Sequence, residues 1–252
     1  MMPNRDRLVG HRPVRVRSVG PARDDLPVQP TTVLENVLNL IGLFAFAVSG
    51  ALLAVRRQFD LVGMAVLATI TALGGGIIRD VLIGAIPPAA LRNTWWLAVP
   101  LVATAVVFFL HRPVGRLNRA VLFFDAIGLG VFCAAGTAKA IAFGLVPLAA
   151  ILMGTITGIG GGILRDVLAG DIPSVLRKDS KLYAVPAVLG STAVAVAHVA
   201  GWDGIWIQVM AAALITGLRL LALWRGWGAP VAWDGRVPLR IPRRHADGAG
   251  PD

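Results

Sequence analysis

Charged side chains inside apolar segments are the residues of this sequence with the clearest chemical potential. The dipeptide Arg-Asp occurs twice, as Arg79-Asp80 and Arg165-Asp166, and each copy closely follows a run of three glycines. A charge at membrane depth costs at least ~2.5 kcal/mol, so it persists where it pairs, faces an aqueous cavity or lines a substrate path. The glycines concerned are Gly74, Gly75, Gly76, Gly160, Gly161 and Gly162.

Three successive glycines are unusual inside a helix. Each one costs a helix interior roughly 1 kcal/mol relative to alanine, which favours a helix that is bent, unwound or very closely packed. A purely structural explanation exists for both features, because glycines permit close helix packing and charges in the last turn of a span can reach the headgroups. The combination, present twice, predicts instead a pore or binding site formed by broken helices.

Two further charges lie at matching depths in the predicted helices. Lys139 lies near the outer end of its segment, level with Asp80, and Asp125 lies near the inner end of the same segment, level with Arg165. Pairing lowers the cost of burying a charge. The sequence therefore predicts an Asp80 to Lys139 pair and an Asp125 to Arg165 pair.

Three other polar residues complete the set. Asn39 is equivalent to Asp125 in the repeat described below, which predicts a position near Arg79. Arg219 and His198 lie close to predicted helix ends. We interpret those two as anchors at the membrane interface.

The overall composition is that of a membrane protein. Of 252 residues, 56% are hydrophobic and 15% are charged, whereas soluble domains contain about 25% charged residues. The net charge of +10 comes mainly from the two tails and from short loops, which argues against nucleic-acid binding. A single cysteine, Cys133, excludes an intramolecular disulfide and a site made of several thiolates.

Seven apolar segments are long enough, at about 20 residues each, to cross a hydrocarbon core of roughly 30 Å. They are residues 33–55, 61–83, 95–111, 120–141, 145–169, 182–200 and 204–224, of which the third is the shortest. They are apolar on all sides, which is typical of membrane spans rather than of helices on a soluble core. Residues 1–32 and 226–252 are rich in arginine, and we expect both to be disordered basic tails.

The sequence repeats itself at an offset of 86 residues. GGGIIRDVLIG at 74–84 matches GGGILRDVLAG at 160–170, and the same offset aligns Phe46 with Phe132 and Gly50 with Gly136. The repeated unit is three helices long, so the second copy enters the membrane from the opposite side. The predicted fold is all-α, with repeat 1 at 33–111, repeat 2 at 119–200 and a seventh helix at 204–225.

Loop charges predict the orientation of the chain. One face receives nearly all basic loop residues and the C-terminal tail, and the other receives only Arg92. The positive-inside rule then places the N-terminus outside and the C-terminus in the cytoplasm of a multi-pass inner-membrane protein. The basic N-terminal tail, with six arginines assigned to the outside, disagrees with this assignment.

Four motifs resemble those of a known family, the prokaryotic trimeric intracellular cation channels, also described as glycine transporter domains. They are IGLFAFAVSGALLA at 41–54, TALGGGIIRDVLIG at 71–84, FDAIGLGVFCAAGTAKA at 124–140 and TGIGGGILRDVLAGDIP at 157–173. The resemblance implies a homotrimer with one pore in each protomer that conducts monovalent cations, chiefly potassium. It also implies that the six glycines are helix kinks and that Lys139 is a basic residue of the pore.

Two other classes of function remain open from the residues alone. Inverted repeats with broken helices are also found in secondary transporters, here of a small solute such as an amino acid. A hydrolase using Asp80 and Asp166 is disfavoured because each follows an arginine and the repeat places them at opposite depths. The sequence predicts no catalytic residues, no metal ligands and no cofactor, and it predicts cations, membrane lipids and further copies of the chain as partners.

Overall fold

The computed structural model describes residues 33–110, 117–177 and 182–228, and every helix or strand assigned within these ranges is a helix. The predicted all-α fold is therefore confirmed. The helices are α1 (Val33–Arg56), α2 (Leu61–Leu82), α3 (Ala89–Arg92), α4 (Trp95–Leu110), α5 (Leu117–Ala142), α6 (Pro147–Leu168), α7 (Ala184–Val199) and α8 (Ile205–Arg225).

Seven of these helices coincide with the predicted apolar segments, and α3 is one short additional turn. Five of them, α1, α2, α5, α6 and α8, are long and apolar enough to cross a membrane. The other two, α4 and α7, are apolar but have 16 residues each, which corresponds to about 24 Å. The two short helices occupy equivalent positions in the two repeats.

Local sequence signals explain where several helices begin and end. The Asp60 side chain accepts a hydrogen bond from Gly63 N at 2.7 Å and caps the start of α2. Pro147 occupies the first turn of α6, where its missing N–H is not needed. The chain leaves α8 through Gly226 in the left-handed conformation, which glycine adopts without strain.

The two three-helix repeats pack around a pseudo-two-fold axis. Helix α1 packs against α5, and α2 packs against α6. A Cβ atom on Gly75 would overlap the Thr157 carbonyl oxygen, and one on Gly161 would overlap the equivalent carbonyl of Thr71. Phe46 stacks on its own repeat equivalent, Phe132, with 5.4 Å between ring centroids. These reciprocal contacts agree with the inverted repeat predicted from the 86-residue offset.

Helix α8 has no counterpart in repeat 1. It packs against α5 and α7 and makes only slight contact with α1. Gly130 on α5 provides the space for this contact, because a Cβ there would meet the Ala212 carbonyl and the Thr216 hydroxyl. Helix α8, the seventh of the predicted apolar segments, therefore packs with repeat 2.

Contacts at one end of the bundle agree with the predicted alternation of the helices. Arg57 after α1 forms an ion pair with Asp171 after α6, and Arg56 donates to Asn118 Oδ1 at 3.1 Å. At the same end, Leu182 N donates to Trp227 O at 3.0 Å. These contacts unite the loops that the charge pattern assigns to one face, which we call the inner end.

Some predictions concern parts of the chain outside the described residues. They include the disorder of residues 1–32 and of most of the C-terminal tail, together with part of the basic loop charge. The basic residues concerned are Arg112, Arg116, Lys178 and Lys181.

Candidate functional site

The glycine runs lie at the crossing of α2 and α6, near the centre of the protomer. Both helices are continuous through the runs. The sequence left bending, unwinding and close packing open, and unwinding is wrong. Close packing is what the structure contains, because Gly75 and Gly161 face the opposing backbone with no room for a side chain. Contact between the two backbones compensates for the low helix propensity of glycine.

The six glycines are not equivalent. A Cβ on Gly76 would meet only Arg79 Nη2, at 3.9 Å, and one on Gly160 would meet Gly75 Cα at 3.4 Å, so both positions have space. A Cβ on Gly162 would lie 2.5 Å from the Tyr183 hydroxyl and 3.3 Å from Asp125 Oδ1. The middle glycine of each run therefore serves the helix crossing, and Gly162 leaves space for polar groups.

A fully buried group of polar side chains lies at the inner end of α6. Arg165 Nη1 donates to Asp125 Oδ1 at 2.7 Å and to Ser49 Oγ at 2.6 Å. Arg165 Nη2 and Nε donate to Asp166 Oδ1 at 2.8 and 2.9 Å. We call Ser49, Asp125, Arg165, Asp166 and Tyr183 the inner cluster. It confirms the predicted pair between Asp125 and Arg165.

A second charged group lies at the outer end of α2. Asp80 Oδ1 accepts from Arg79 Nε at 2.8 Å and from Lys139 Nζ at 2.7 Å. We call Arg79, Asp80 and Lys139 the outer cluster, which confirms the predicted pair between Asp80 and Lys139. The Lys139 side chain is 28% exposed, whereas Asp125 and Arg165 at the inner end are at most 1% exposed. The outer cluster is therefore more accessible than the inner one.

The second oxygen of each aspartate holds the loop that follows its helix. Asp80 Oδ2 accepts from Ala89 N at 2.9 Å. Asp166 Oδ2 accepts from Ser174 N and Oγ at 2.7 and 2.8 Å. Each aspartate thus orients its neighbouring arginine and fixes the loop after its helix, a role that the sequence did not reveal.

Two residues of the inner end were not identified correctly from the sequence. Tyr183 donates its hydroxyl to Asp125 Oδ1 at 3.2 Å. Arg219, predicted as an interfacial anchor, is only 1% exposed and lies over the Tyr183 ring, with 4.6 Å from Cζ to the ring centroid. The interface prediction is therefore wrong for Arg219. His198, by contrast, is exposed at the other end and faces Asp203 at 2.6 Å.

Asn39 is half-buried on α1, and its proximity to Arg79 stays a prediction.

A small cavity of about 40 Å³ opens toward the inner end beside Arg165 and Asp166. Its wall also includes Asn118, Ser174 and Arg177. A cavity of this size with polar walls can hold water next to the inner cluster.

Ion pairs around Asp171 lie at the mouth of this cavity. Asp171 contacts Arg57 and lies 3.4 Å from Arg177 Nη2. Partial burial opposes ionisation of Asp171, but the hydrogen bond and charge of Arg57 outweigh it, so the pKa of this carboxyl is lowered. The loops after α1 and α6 are therefore joined by charge at neutral pH.

Metal ligation and thiol chemistry find little support in the described part of the chain. No group of three or more histidine, cysteine or acidic side chains is placed there to bind a metal. Cys133 is buried within the helix bundle. The chemically distinctive groups of the described ranges are the two charged clusters and the glycine crossing between them.

Comparisons with known proteins agree with this arrangement. A family described as glycine transporter matches residues 36–112 and 122–199, which correspond to α1–α4 and α5–α7. A UPF0126 membrane protein of Streptomyces coelicolor is 41% identical over 206 residues, covering 81% of this chain and 93% of that protein. A UPF0126 inner membrane protein of Escherichia coli K12 is 40% identical over 162 residues, covering 64% of this chain and 77% of that protein.

A solved structure gives the same fold. The trimeric intracellular cation (TRIC) channel orthologue of Rhodobacter sphaeroides superposes with a TM-score of 0.71 at 34% identity, covering 77% of this chain and all of that one. The sequence match, the duplicated three-helix unit and the additional helix all point to one assignment. This chain is a multi-pass membrane protein and belongs to the prokaryotic TRIC channel family.

Proposed function

We propose that this protein is a channel for monovalent cations, chiefly potassium, with one pathway inside each protomer. The observation on which the proposal depends is the position of the two charged clusters. They lie at opposite ends of the α2 and α6 crossing, and each is formed mainly by side chains that would otherwise be costly to bury. Similarity to a cation channel of known structure supports the same function.

The pathway proposed here passes between α1, α2, α5 and α6. The inner cluster, the outer cluster and Asn39 line it, and Gly75 and Gly161 form its narrowest point. Small residues at this point leave no side chain to retract, so a modest separation of α2 from α6 would open it. Conduction thus depends on relative movement of the two repeats rather than on an unwound turn.

We interpret this structure as a closed conformation of the proposed pathway, because the inner cluster is buried. Asp125 and Arg165 are engaged with each other and are almost inaccessible. A cation entering from the inner end would have to displace these contacts. One charge crossing a potential of 100 mV exchanges about 2.3 kcal/mol, so movement of Arg79, Lys139 or Arg165 would couple opening to voltage.

We further propose that the protein is a homotrimer in the inner membrane, with the inner end of the bundle in the cytoplasm. The trimer is supported by the Rhodobacter sphaeroides relative, a trimeric channel. The orientation is supported by the described basic residues in the inner loops and the helix ends beside them, Arg56, Arg57, Arg119 and Arg177, against Arg92 between α2 and α4 at the outer end. The domain limits proposed from the sequence, repeat 1 at 33–111 and repeat 2 at 119–200, follow the same helices.

Potassium flux in proteoliposomes tests this function. Vesicles with purified protein and internal KCl are diluted into potassium-free buffer without valinomycin, and a proton carrier balances the charge of the potassium that leaves. These vesicles should lose potassium, and protein-free vesicles should not. The Asp166→Ala variant removes an ion-pair partner of Arg165 and the hydrogen bonds that hold the loop at Ser174, and it should change the rate of potassium efflux. Saturable uptake of glycine without electrical current would instead identify a secondary transporter.

A further inference from the structure

Arg219 is a buried charge of the inner end that comes from outside the inverted repeat. It lies on α8, which has no equivalent in repeat 1. An arginine costs several kcal/mol when it is buried in a membrane protein without compensation. Its position needs an explanation beyond anchoring, because its side chain is buried within the protein.

The surroundings of Arg219 connect it to the inner cluster. Its guanidinium covers the Tyr183 ring, and its Nη1 lies 3.4 Å from Leu182 O. The hydroxyl of the same tyrosine donates to Asp125. Arg219 also interacts electrostatically with Asp125 and Arg165. The positive charge of Arg219 on α8 therefore stabilises the carboxylate of Asp125 on α5.

The formal charge of the inner cluster depends on α8. Without Arg219, the inner cluster has one guanidinium, Arg165, against two carboxylates, Asp125 and Asp166. The excess carboxylate is Asp125, whose repeat equivalent is the neutral Asn39. Arg219 supplies one positive charge beside this carboxylate, so the inner cluster together with Arg219 is formally neutral. The additional acid and the additional base thus occur together at the same end.

One oxygen of Asp125 reinforces this interpretation. Asp125 Oδ2 is buried and has no hydrogen-bond partner among the described residues, whereas Oδ1 accepts from Arg165 and Tyr183. A buried carboxylate oxygen that accepts no hydrogen bond is stabilised strongly by a nearby positive charge. In the present conformation the nearby positive charge of α8 offsets that demand through space.

We propose that Arg219 is a specificity-determining residue that sets the net charge of the inner cluster and so limits cation entry into the pathway from the inner end. The proposal rests on the proposed channel function. Replacing Arg219 by methionine keeps a long unbranched side chain but removes its positive charge, which leaves the inner cluster with one net negative charge. A unit charge about 7 Å from a hydrated ion changes its local concentration about threefold. Because ionic screening weakens such effects, the change should be largest at low salt.

The experiment measures single-channel currents of the full chain in planar bilayers at about 50 mM and 1 M KCl. Arg219→Met should raise the current of cations entering from the inner end about threefold at low salt and much less at high salt. It should also raise the permeability ratio of potassium to chloride. Arg219→Lys should retain the wild-type ratio, because it keeps the charge. Arg225→Met, at an exposed position of the same helix, serves as the matched control and should have no effect.

The possible results are distinguishable. Wild-type currents with an unchanged ratio and rectification in Arg219→Met would overturn the role of Arg219 and leave the channel function intact. An equal effect of Arg219→Lys and Arg219→Met would also overturn it, because shape rather than charge would then matter. A wild-type protein without cation current would overturn the proposed function itself.

A second comparison covers the case in which Arg219→Met does not fold because Asp125 is left uncompensated. In an Asp125→Asn background, the inner cluster together with position 219 has a net positive charge, and adding Arg219→Met returns it to neutral. The double variant should therefore conduct cations from the inner end faster than Asp125→Asn alone. Equal or slower conduction in the double variant would contradict the charge argument.

Discussion

Replacing Gly75 by alanine should destabilise the protein, whereas the same replacement at Gly76 should not. The two glycines are neighbours in one run on one helix, so the gain in helix propensity, up to about 1 kcal/mol, is common to both. They differ only in what the new methyl group meets. At position 75 it overlaps the Thr157 carbonyl oxygen and lies 3.2 Å from Gly161 N, whereas at position 76 its nearest neighbour is 3.9 Å away.

The expected magnitude follows from the rigidity of the partner. A carbonyl in the middle of a continuous helix cannot rotate away, so α2 and α6 must separate by about 1 Å over the whole crossing. Overpacking of this kind typically costs about 1–3 kcal/mol. Gly75→Ala should therefore melt roughly 2–10 °C below Gly76→Ala. Gly161→Ala should behave like Gly75→Ala, because a methyl group there meets the equivalent Thr71 carbonyl.

Thermal unfolding followed by size-exclusion chromatography measures this difference in detergent. The refuting result is a Gly75→Ala protein that is as stable as Gly76→Ala, since the close crossing would then be absent in the membrane protein. Flux measured on the same samples adds a functional readout. A forced separation of α2 and α6 should raise basal potassium leak if the crossing is the narrowest point of the pathway.

Three further predictions concern the ion pairs and the topology. The pKa of Asp171 lies below its ordinary value of 3.8, so its pairing with Arg57 should stabilise the protein above that value and fail as the pH falls through the lowered pKa. Asp171→Asn should therefore melt below wild type at pH 7, and the difference should shrink as the pH falls below 3.8; a gap independent of pH would contradict this. Tyr183→Phe removes the 3.2 Å hydrogen bond to Asp125 but keeps the ring beneath Arg219, so it should cost about 1 kcal/mol in stability, and a neutral effect in thermal unfolding would argue against that bond. Alkaline phosphatase fused after Arg225 should be inactive and active when fused after Trp202, and the reverse pattern would invert the proposed orientation.

Much of the fold follows from the sequence because the repeat is explicit. An offset of 86 residues fixes which helices are equivalent, and an odd number of spans fixes their opposite insertion. Depth within the spans was then sufficient to predict that Asp80 meets Lys139 and that Asp125 meets Arg165. Charges in low-dielectric surroundings have few permitted partners, so such pairs are unusually predictable.

Other parts of the site depend on contacts that no sequence pattern encodes. The cost of a glycine in a helix is visible in the sequence, but the Thr157 carbonyl that requires Gly75 is visible only once α2 and α6 are packed. Arg219 was assigned to the interface from its distance to the helix end, although an arginine in a span is itself a signal of burial. Tyr183 belongs to a loop before α7 and gave no signal of its own.

The most direct test of the central claim is a recording of purified wild-type protein in a planar bilayer with a KCl gradient. We expect unitary currents that reverse close to the potassium equilibrium potential and up to three equal conductance levels in each trimer, because every protomer of the proposed channel has its own pathway. A single level that never subdivides, or glycine-driven transport without unitary currents, would contradict it.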